Sequence, residues 1–182
     1  MSGPYGDATA QDVAAVATPE RVAGTVRDVA GDPVDIGPLR VGPGGVATAT
    51  AHGRVRDCAV RREDVDGLVS YLAEVDLRLD LDVVAAGRHH GFDAELVVRL
   101  RITVVGASAG QVTTSVAPPV PEDVDAVLRP RGLQSRVLMK VGNVPPIVRE
   151  EAVAYIADRL THADVRAAMV LTTAGLDRGA GG

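Results

Sequence analysis

The stretch that decides the fold is LRLDLDVVAAGRHHGFDAELVVRLRITV, residues 77–104. In its first half, from Leu77 to Ala85, apolar side chains occupy every second position and Arg or Asp fill most positions between them. The alternation resumes at Phe92 and continues to Val104 with Asp, Glu and Arg among the intervening residues. A period of two places alternate side chains on opposite faces of a strand. The two runs therefore predict a long antiparallel hairpin with one buried face and one solvent-facing side.

The turn between the two runs is predicted at the His-Gly dipeptide, residues 90–91. A type I′ turn needs positive φ at both central residues, and glycine is the usual solution at the second. This register sets Asp80 opposite Arg101 and Asp82 opposite Arg99 on the solvent-facing side. Each such pair stabilises the hairpin by roughly 0.2–1 kcal/mol. A register shifted by two residues would instead place two arginines opposite each other, which is repulsive. We therefore expect both aspartates to form exposed ion pairs rather than a general acid/base pair or a metal site.

Composition narrows the classes of function. The chain has 182 residues, 46% of them hydrophobic, which suits one well-buried globular domain. It has no Trp, one Phe and three Tyr, so the core must be aliphatic, and stacking on bases or sugar rings is not expected. The net charge of −5 argues against a surface that binds phosphates, so no nucleic-acid partner is predicted.

The N-terminus and the single cysteine bear on the cellular compartment. The opening residues, MSGPYGDATAQD, lack a basic segment followed by an apolar core. No stretch approaches the roughly 18 apolar residues that a membrane-spanning helix requires. Cys58 is the only cysteine, so neither an internal disulfide nor a cysteine-based zinc site is predicted. We expect a cytoplasmic protein with no integral membrane segment.

The remaining patterns predict one α+β domain at 18–175, between a flexible N-terminus at 1–17 and a flexible tail at 176–182. Thr18 with the Pro-Glu dipeptide after it indicates the start of a helix, with an extended segment as the alternative. The further predicted elements are a Gly/Pro-rich loop at 31–45, strands at 46–60, 111–117, 124–128 and 165–173, and helices at 63–73, 133–141 (or a strand there) and 143–160.

The apolar face of the hairpin must be covered by another element. Its second run spans about 40 Å at the usual rise of a strand, and strands of this length twist strongly. The helix at 143–160 carries a matching apolar stripe, formed by Val148, Ala152, Tyr155, Ile156 and Leu160. We therefore expect a long, strongly curved antiparallel sheet packed around a C-terminal amphipathic helix.

Residues of chemical interest each have a structural explanation. His89 and His90 could bind a metal, but neighbours on a strand point to opposite faces, so we interpret them as turn residues. Residues 42–45, Gly-Pro-Gly-Gly, lack the Lys-Ser/Thr ending of a phosphate-binding loop and are interpreted as a turn. Cys58 is expected to be an ordinary half-buried thiol. Arg149 falls within the apolar stripe and either meets a ligand's carboxylate or phosphate or extends to solvent.

The order of elements resembles two groups of proteins. The runs LRLDLDVVA and FDAELVVRLRITV, followed by the helix IVREEAVAYIADRL, resemble the tubular lipid-binding superfamily over about residues 46–161. In that superfamily a long curved antiparallel sheet wraps a helix, and the groove between them holds acyl chains. The same order is similar to the helix-grip group of hydrophobic-ligand binders and cyclases, which closes a sheet over a C-terminal helix. Both resemblances imply an apolar ligand between sheet and helix.

Three hypotheses of function follow. The first is non-enzymatic binding of an apolar or amphipathic, lipid-like ligand, without catalytic residues, cofactor or metal. The second is a structural module that forms a homo-oligomer or docks a protein partner, and the third is a cyclase- or isomerase-like enzyme that uses Arg149, His52 or Tyr155. For the first hypothesis the residues expected to line the ligand site are Leu79, Leu81, Leu96, Val98, Leu100, Val148, Arg149, Ala152 and Ile156.

Overall fold

The computed structural model describes residues 10–31, 33–108, 111–141 and 143–172. It is an α+β fold with a strongly curled antiparallel sheet, a half-barrel, and several helices. The helices are α1 (Ala10–Val16), α2 (Pro19–Ala30), α3 (Leu133–Val141), α4 (Val144–Thr161) and α5 (Ala163–Ala168). The strands are β1 (Val34–Val41), β2 (Ala47–Val65), β3 (Leu68–Ala85), β4 (Arg88–Ser108), β5 (Gln111–Val116), β6 (Val124–Arg131) and β7 (Val170–Thr172).

The sheet is organised around β4. Its strand order is β1-β2-β3-β4-β5-β7, and β6 pairs with the first part of β4 on the same side as β5. The pairing shifts register in three places, between Ile36 and Leu39, Val55 and Asp57, and Val104 and Gly106. Long strands twist, and bulges increase that twist locally, so the sheet curls instead of lying flat.

The predicted hairpin is present, but its predicted register is wrong. The turn is at Ala86-Gly87, with φ of 50° and 72°, and Ala85 pairs with Arg88. Asp80 consequently lies opposite Asp93, not opposite Arg101. The shift is eight residues, an even number, so the buried and exposed faces are unchanged. The alternation continues upstream of residue 77, so the structure has a longer β3 than we predicted.

The predicted helix at 63–73 is wrong, because a tight turn at Asp66-Gly67 joins β2 to β3 there. Both turn residues have positive φ, 52° and 78°, as a type I′ turn requires. The apolar residues at 65, 68, 69 and 72 have helical spacing, but Val69 also starts a period-two series with Tyr71 that continues along β3. The Asp-Gly dipeptide is a strong hairpin signal that the helical interpretation overlooked.

Several other local predictions can be compared with the structure. Thr18 is the N-cap of α2, and helices α3 and α4 occupy the predicted segments. The predicted loop at 31–45 contains the edge strand β1 instead, with Pro38 inside its register shift, a position where an edge strand tolerates proline. Within the segment predicted to be flexible, residues 10–16 form α1, whose Val13 is fully buried. Residues 1–9 and the predicted tail at 176–182 lie outside the described residues.

The hydrophobic core consists of two clusters on one face of the sheet. Odd-numbered residues of β3 belong to both: Val69 to Val75 to the first and Leu79 to Val83 to the second. Helices α1 and α2 contribute buried side chains to the first cluster. Half-buried apolar side chains of α3 and α4 pack against the second. The concave face is therefore covered by different helices at its two ends.

Candidate functional site

Two apolar cavities lie between the curled sheet and the helices. The first cavity has a volume of about 120 Å³ and is bordered by α2, α4 and the middle of the sheet. The second cavity has a volume of about 220 Å³ and is bordered by β1, β2, β3, α3 and α4. Apolar residues around the first include Val26, Val29, Leu77, Val98, Leu100 and Ile156. Those around the second include Leu39, Val46, Leu81, Leu138, Ile147 and Val148.

The two cavities adjoin each other. Ile36, Leu79, Leu96 and Ala152 line both, so these four side chains form the boundary between them. We call the combined space the groove, and residues of the sheet and of α4 line both of its halves. An engineered cavity of about 150 Å³ in another protein is large enough to bind benzene, so each half of the groove has room for part of a hydrocarbon.

Very few polar groups reach the groove. Thr114 is buried, and its hydroxyl donates a hydrogen bond of 2.9 Å to the carbonyl of Met169. Arg159 borders the first cavity, donates to the Val29 carbonyl at 3.4 Å and lies 3.5 Å from a carboxylate oxygen of Asp164. The remaining polar lining residues are Thr25 and Tyr155 in the first cavity and Glu151 in the second. The walls can therefore solvate a hydrocarbon but offer little to a polar group.

The shortage of aromatic residues explains why the space is not filled by side chains. Phe92 is fully buried in the second cluster, and Tyr71 is fully buried in the first, with its hydroxyl donating to the Ala17 carbonyl. Among the described aromatic residues only Tyr155 borders the groove. Valine, leucine and alanine line most of the remaining space, and α4 packs against only part of the sheet's second cluster through half-buried side chains.

The structure brings most of the predicted ligand-lining residues together. Eight of them border the groove: Leu79, Leu81, Leu96, Val98, Leu100, Val148, Ala152 and Ile156. Arg149 borders neither cavity, and its Nε is buried without a hydrogen-bond partner among the described residues. The lining residues absent from that prediction include those of α2 and β1, and also residues of β2, β5 and α3. The spacing of Val22, Val26 and Val29 indicated an apolar face on α2. The prolines and glycines around Ile36 led us to predict a loop there, so its place in a strand was not predicted.

The polar residues considered for catalysis are not assembled into a site. His52 is exposed and bonds Asp35 at 2.7 Å, away from the groove that Tyr155 borders. Asp80 pairs with Arg131, and Asp82 pairs with His89, each at 2.9 Å. Asp80 therefore forms an exposed ion pair, but with Arg131 instead of the predicted Arg101, and Asp82 contacts the ring of His89 instead of the predicted Arg99. No cluster of three potential metal ligands occurs among the described residues.

Both histidines that were interpreted as turn residues belong to β4. The ring of His89 is exposed, whereas His90 is buried on the opposite face, and its Nδ1 has no partner within the described part of the chain. The turn is four residues earlier than predicted, at Ala86-Gly87. The expectation that neighbouring histidines point to opposite faces is confirmed.

Cys58 is buried in the first cluster, not half-buried as predicted. Burial raises the pKa of its thiol. Of its two charged neighbours, Arg27 lowers that pKa and Asp57 raises it, and the net shift is upward.

We expect iodoacetamide to alkylate Cys58 more slowly in the folded protein than in urea at pH 8. The pH of half-maximal rate should lie above about 8.5, the value for a free thiol. Mass spectrometry of the alkylated protein measures both quantities, and equal rates in the two states would contradict this placement.

No helix in the described ranges combines the length and the apolar character needed to cross a bilayer. No protein-family model matches the chain, and neither a curated protein nor a solved structure shows significant similarity to it.

Proposed function

We propose that the protein binds an apolar or amphipathic, lipid-like ligand in the groove, without catalysing a reaction. The observation that carries this proposal is the pair of adjoining cavities, lined almost entirely by aliphatic carbon, on the concave face of the sheet. Such pockets, apolar with a few polar groups at defined points, are typical of small-molecule binding sites.

Packing energetics support a ligand of this kind. Protein interiors are normally close-packed, and a cavity in a core costs about 24 cal/mol per Å³ relative to a filled one. A hydrocarbon chain in the groove would make the dispersion contacts that the lining side chains do not make with each other. Because the cavities adjoin at Leu79, Leu96 and Ala152, an elongated chain fits the space better than a compact ring system.

In this proposal α4 is the element that encloses the ligand. Val148, Ala152 and Ile156 face the groove and are half-buried, so the helix has apolar surface still to bury. The sheet and α4 together surround the chain, and a polar headgroup remains at a mouth of the groove, where solvent or a charged side chain can pair with it.

Thermal unfolding in the presence of single-chain lipids tests the proposal. At a ligand concentration about 100 times Kd, binding stabilises the native state by about 2.7 kcal/mol. For a domain of this size that corresponds to a rise in Tm of about 5–10 °C. We expect such a rise with fatty acids or fatty alcohols of matching length, and displacement of a fluorescent apolar probe by the same compounds.

Native mass spectrometry of the purified protein provides the second measurement. We expect the mass of a co-purified lipid-like molecule, recovered in an organic extract. The absence of any such mass, together with an unchanged Tm across a series of acyl-chain lengths, would refute the proposal.

A further inference from the structure

The mouth of the second cavity lies at one end of the half-barrel, where three connecting segments meet. Ala47, just after the β1–β2 connection, pairs with Ala85, and Ala85 pairs with Arg88 across the β3–β4 turn. Gly91 of β4 pairs with Arg131, the last residue of β6, and α3 begins two residues later at Leu133. The β1–β2 connection, the β3–β4 turn and α3 therefore form one rim of the sheet.

This rim exposes apolar side chains. Val46 lines the second cavity and is 76% exposed, so the cavity reaches the surface there. On α3, Leu133 is 76% exposed and Val137 is 62% exposed, while Leu138 on its inner side lines the same cavity. The mouth of the groove and the exposed face of α3 are thus continuous.

The same rim is positively charged. Arg136 and Lys140 lie one helical turn apart on the face of α3 that carries Leu133 and Val137, and α3 contains no acidic residue. Exposed Arg40 is the penultimate residue of β1, beside the β1–β2 connection, and exposed Arg88 is the first residue of β4, directly after the β3–β4 turn. We call Arg40, Arg88, Arg136 and Lys140 the basic rim. None of the four forms an ion pair with another described residue, although the chain as a whole has a net charge of −5.

The nearby acidic residues leave this charge largely uncompensated. Asp80 and Asp82 are engaged by Arg131 and His89, respectively. Glu150 and Glu151 are on α4, at least one turn from its start, and Glu151 faces the second cavity. Two of these four acids are therefore paired with other side chains and a third lines the cavity, while Glu150 is exposed on α4.

We propose that the basic rim and the exposed apolar face of α3 dock on an anionic membrane surface, so that a ligand passes between the bilayer and the mouth of the second cavity. A helix on which exposed apolar side chains alternate with Lys and Arg is typical of segments that lie in the membrane interface. A protein–protein interface would instead have an apolar centre depleted of charge. The purpose of docking, but not the docking itself, rests on the proposed ligand binding.

Co-sedimentation with vesicles tests the proposal. We expect binding to vesicles of two parts phosphatidylcholine and one part phosphatidylserine, little binding to phosphatidylcholine alone, and weakening at high salt. One basic side chain near an anionic surface contributes about a fivefold gain in affinity. The variant Arg136→Gln/Lys140→Gln should therefore bind on the order of twentyfold more weakly, and Leu133→Ser/Val137→Ser should also lose affinity.

The matched control is Arg54→Gln/Arg101→Gln, which removes the same charge from exposed positions on β2 and β4 outside the rim. This control should bind like the unaltered protein, and thermal unfolding of each variant establishes that it is folded. Equal binding to neutral vesicles, no binding to either vesicle, or unchanged binding by the α3 variants would overturn the proposal. A dimer in light scattering that Leu133→Ser/Val137→Ser converts to a monomer would assign this face to a second copy and overturn it as well.

Ligand binding without a membrane separates this proposal from the proposed function. A fatty acid delivered from a cyclodextrin complex should raise the Tm of the rim variants as much as that of the unaltered protein. Loss of vesicle binding with retained ligand binding supports docking as a distinct step. Vesicle binding by a protein that takes up no ligand would refute the proposed function and leave membrane docking standing.

Discussion

Replacement of Ala152 by phenylalanine is expected to weaken ligand binding in the groove at least tenfold while leaving the protein folded. Ala152 borders both cavities, and its small side chain lies at the boundary between them. A phenyl ring at this position would occupy space at the boundary and block an elongated chain from lying across it. We expect the apparent Kd for a single-chain lipid to rise at least tenfold, a loss of about 1.4 kcal/mol or more.

The stability of the Ala152→Phe variant distinguishes blocking of the groove from disruption of the fold. A side chain that fills an existing cavity adds apolar contacts, so the Tm without ligand should stay the same or rise. Ala154→Phe is the matched control, because Ala154 is exposed on the same helix and borders neither cavity. It should bind ligand normally. If Ala152→Phe binds ligand as tightly as Ala154→Phe, the ligand does not lie in the groove.

Replacement of Gly53 by alanine is expected to cause the largest loss of stability among single-methyl changes. A Cβ at Gly53 would lie 2.0 Å from the carbonyl oxygen of Arg78 and 2.8 Å from the Cα of Leu79. These are backbone atoms of β3, so the clash cannot be relieved by rotating a side chain. We expect a cost of at least about 1–3 kcal/mol, the usual range for overpacking, or roughly 2–4 °C of Tm per kcal/mol.

The substitution Gly24→Ala is expected to change the free energy of unfolding in the opposite direction. Gly24 lies inside α2, and a Cβ there would meet no atom within 4 Å. Alanine in a helix is favoured over glycine by roughly 0.5–1 kcal/mol, so this variant should be slightly more stable. Urea unfolding of the two variants measures both effects. A Gly53→Ala protein as stable as the unaltered one would show that β2 and β3 do not approach so closely at this point of the sheet.

Much of the fold could be predicted from local patterns. Period-two alternation identified β3 and β4 and assigned their faces, because side chains of a strand alternate whatever the strand is paired with. The proline and acid after Thr18 located α2, and the apolar stripe at 148–160 located α4. Eight of the nine predicted ligand-lining residues border the groove, since all of them belong to the apolar faces of these elements.

The errors share a physical cause, which is that competing local arrangements differ by little energy. Two X-Gly dipeptides, at 86–87 and 90–91, could each supply the turn of the hairpin. The charge pairs that favoured the second contribute at most about 1 kcal/mol each. The longer pairing of β3 with β4, which begins at Ser70 opposite Thr103, outweighs them. Helical spacing at 63–73 likewise coincided with a strand pattern, and the choice depended on the pairing of β2 with β3.

The sequence by itself determined the faces of residues 77–104, because alternation is local and survives any even shift in register. It also determined that the core is aliphatic, since the composition contains almost no aromatic residues. Only the tertiary structure decided that Ala85 pairs with Arg88, that β1 joins the edge of the sheet, and that α2 covers the end of the face that α4 does not. The groove lies where aliphatic side chains of the helices and the curled sheet leave space between them. That spacing depends on long-range packing, to which no single stretch of sequence corresponds.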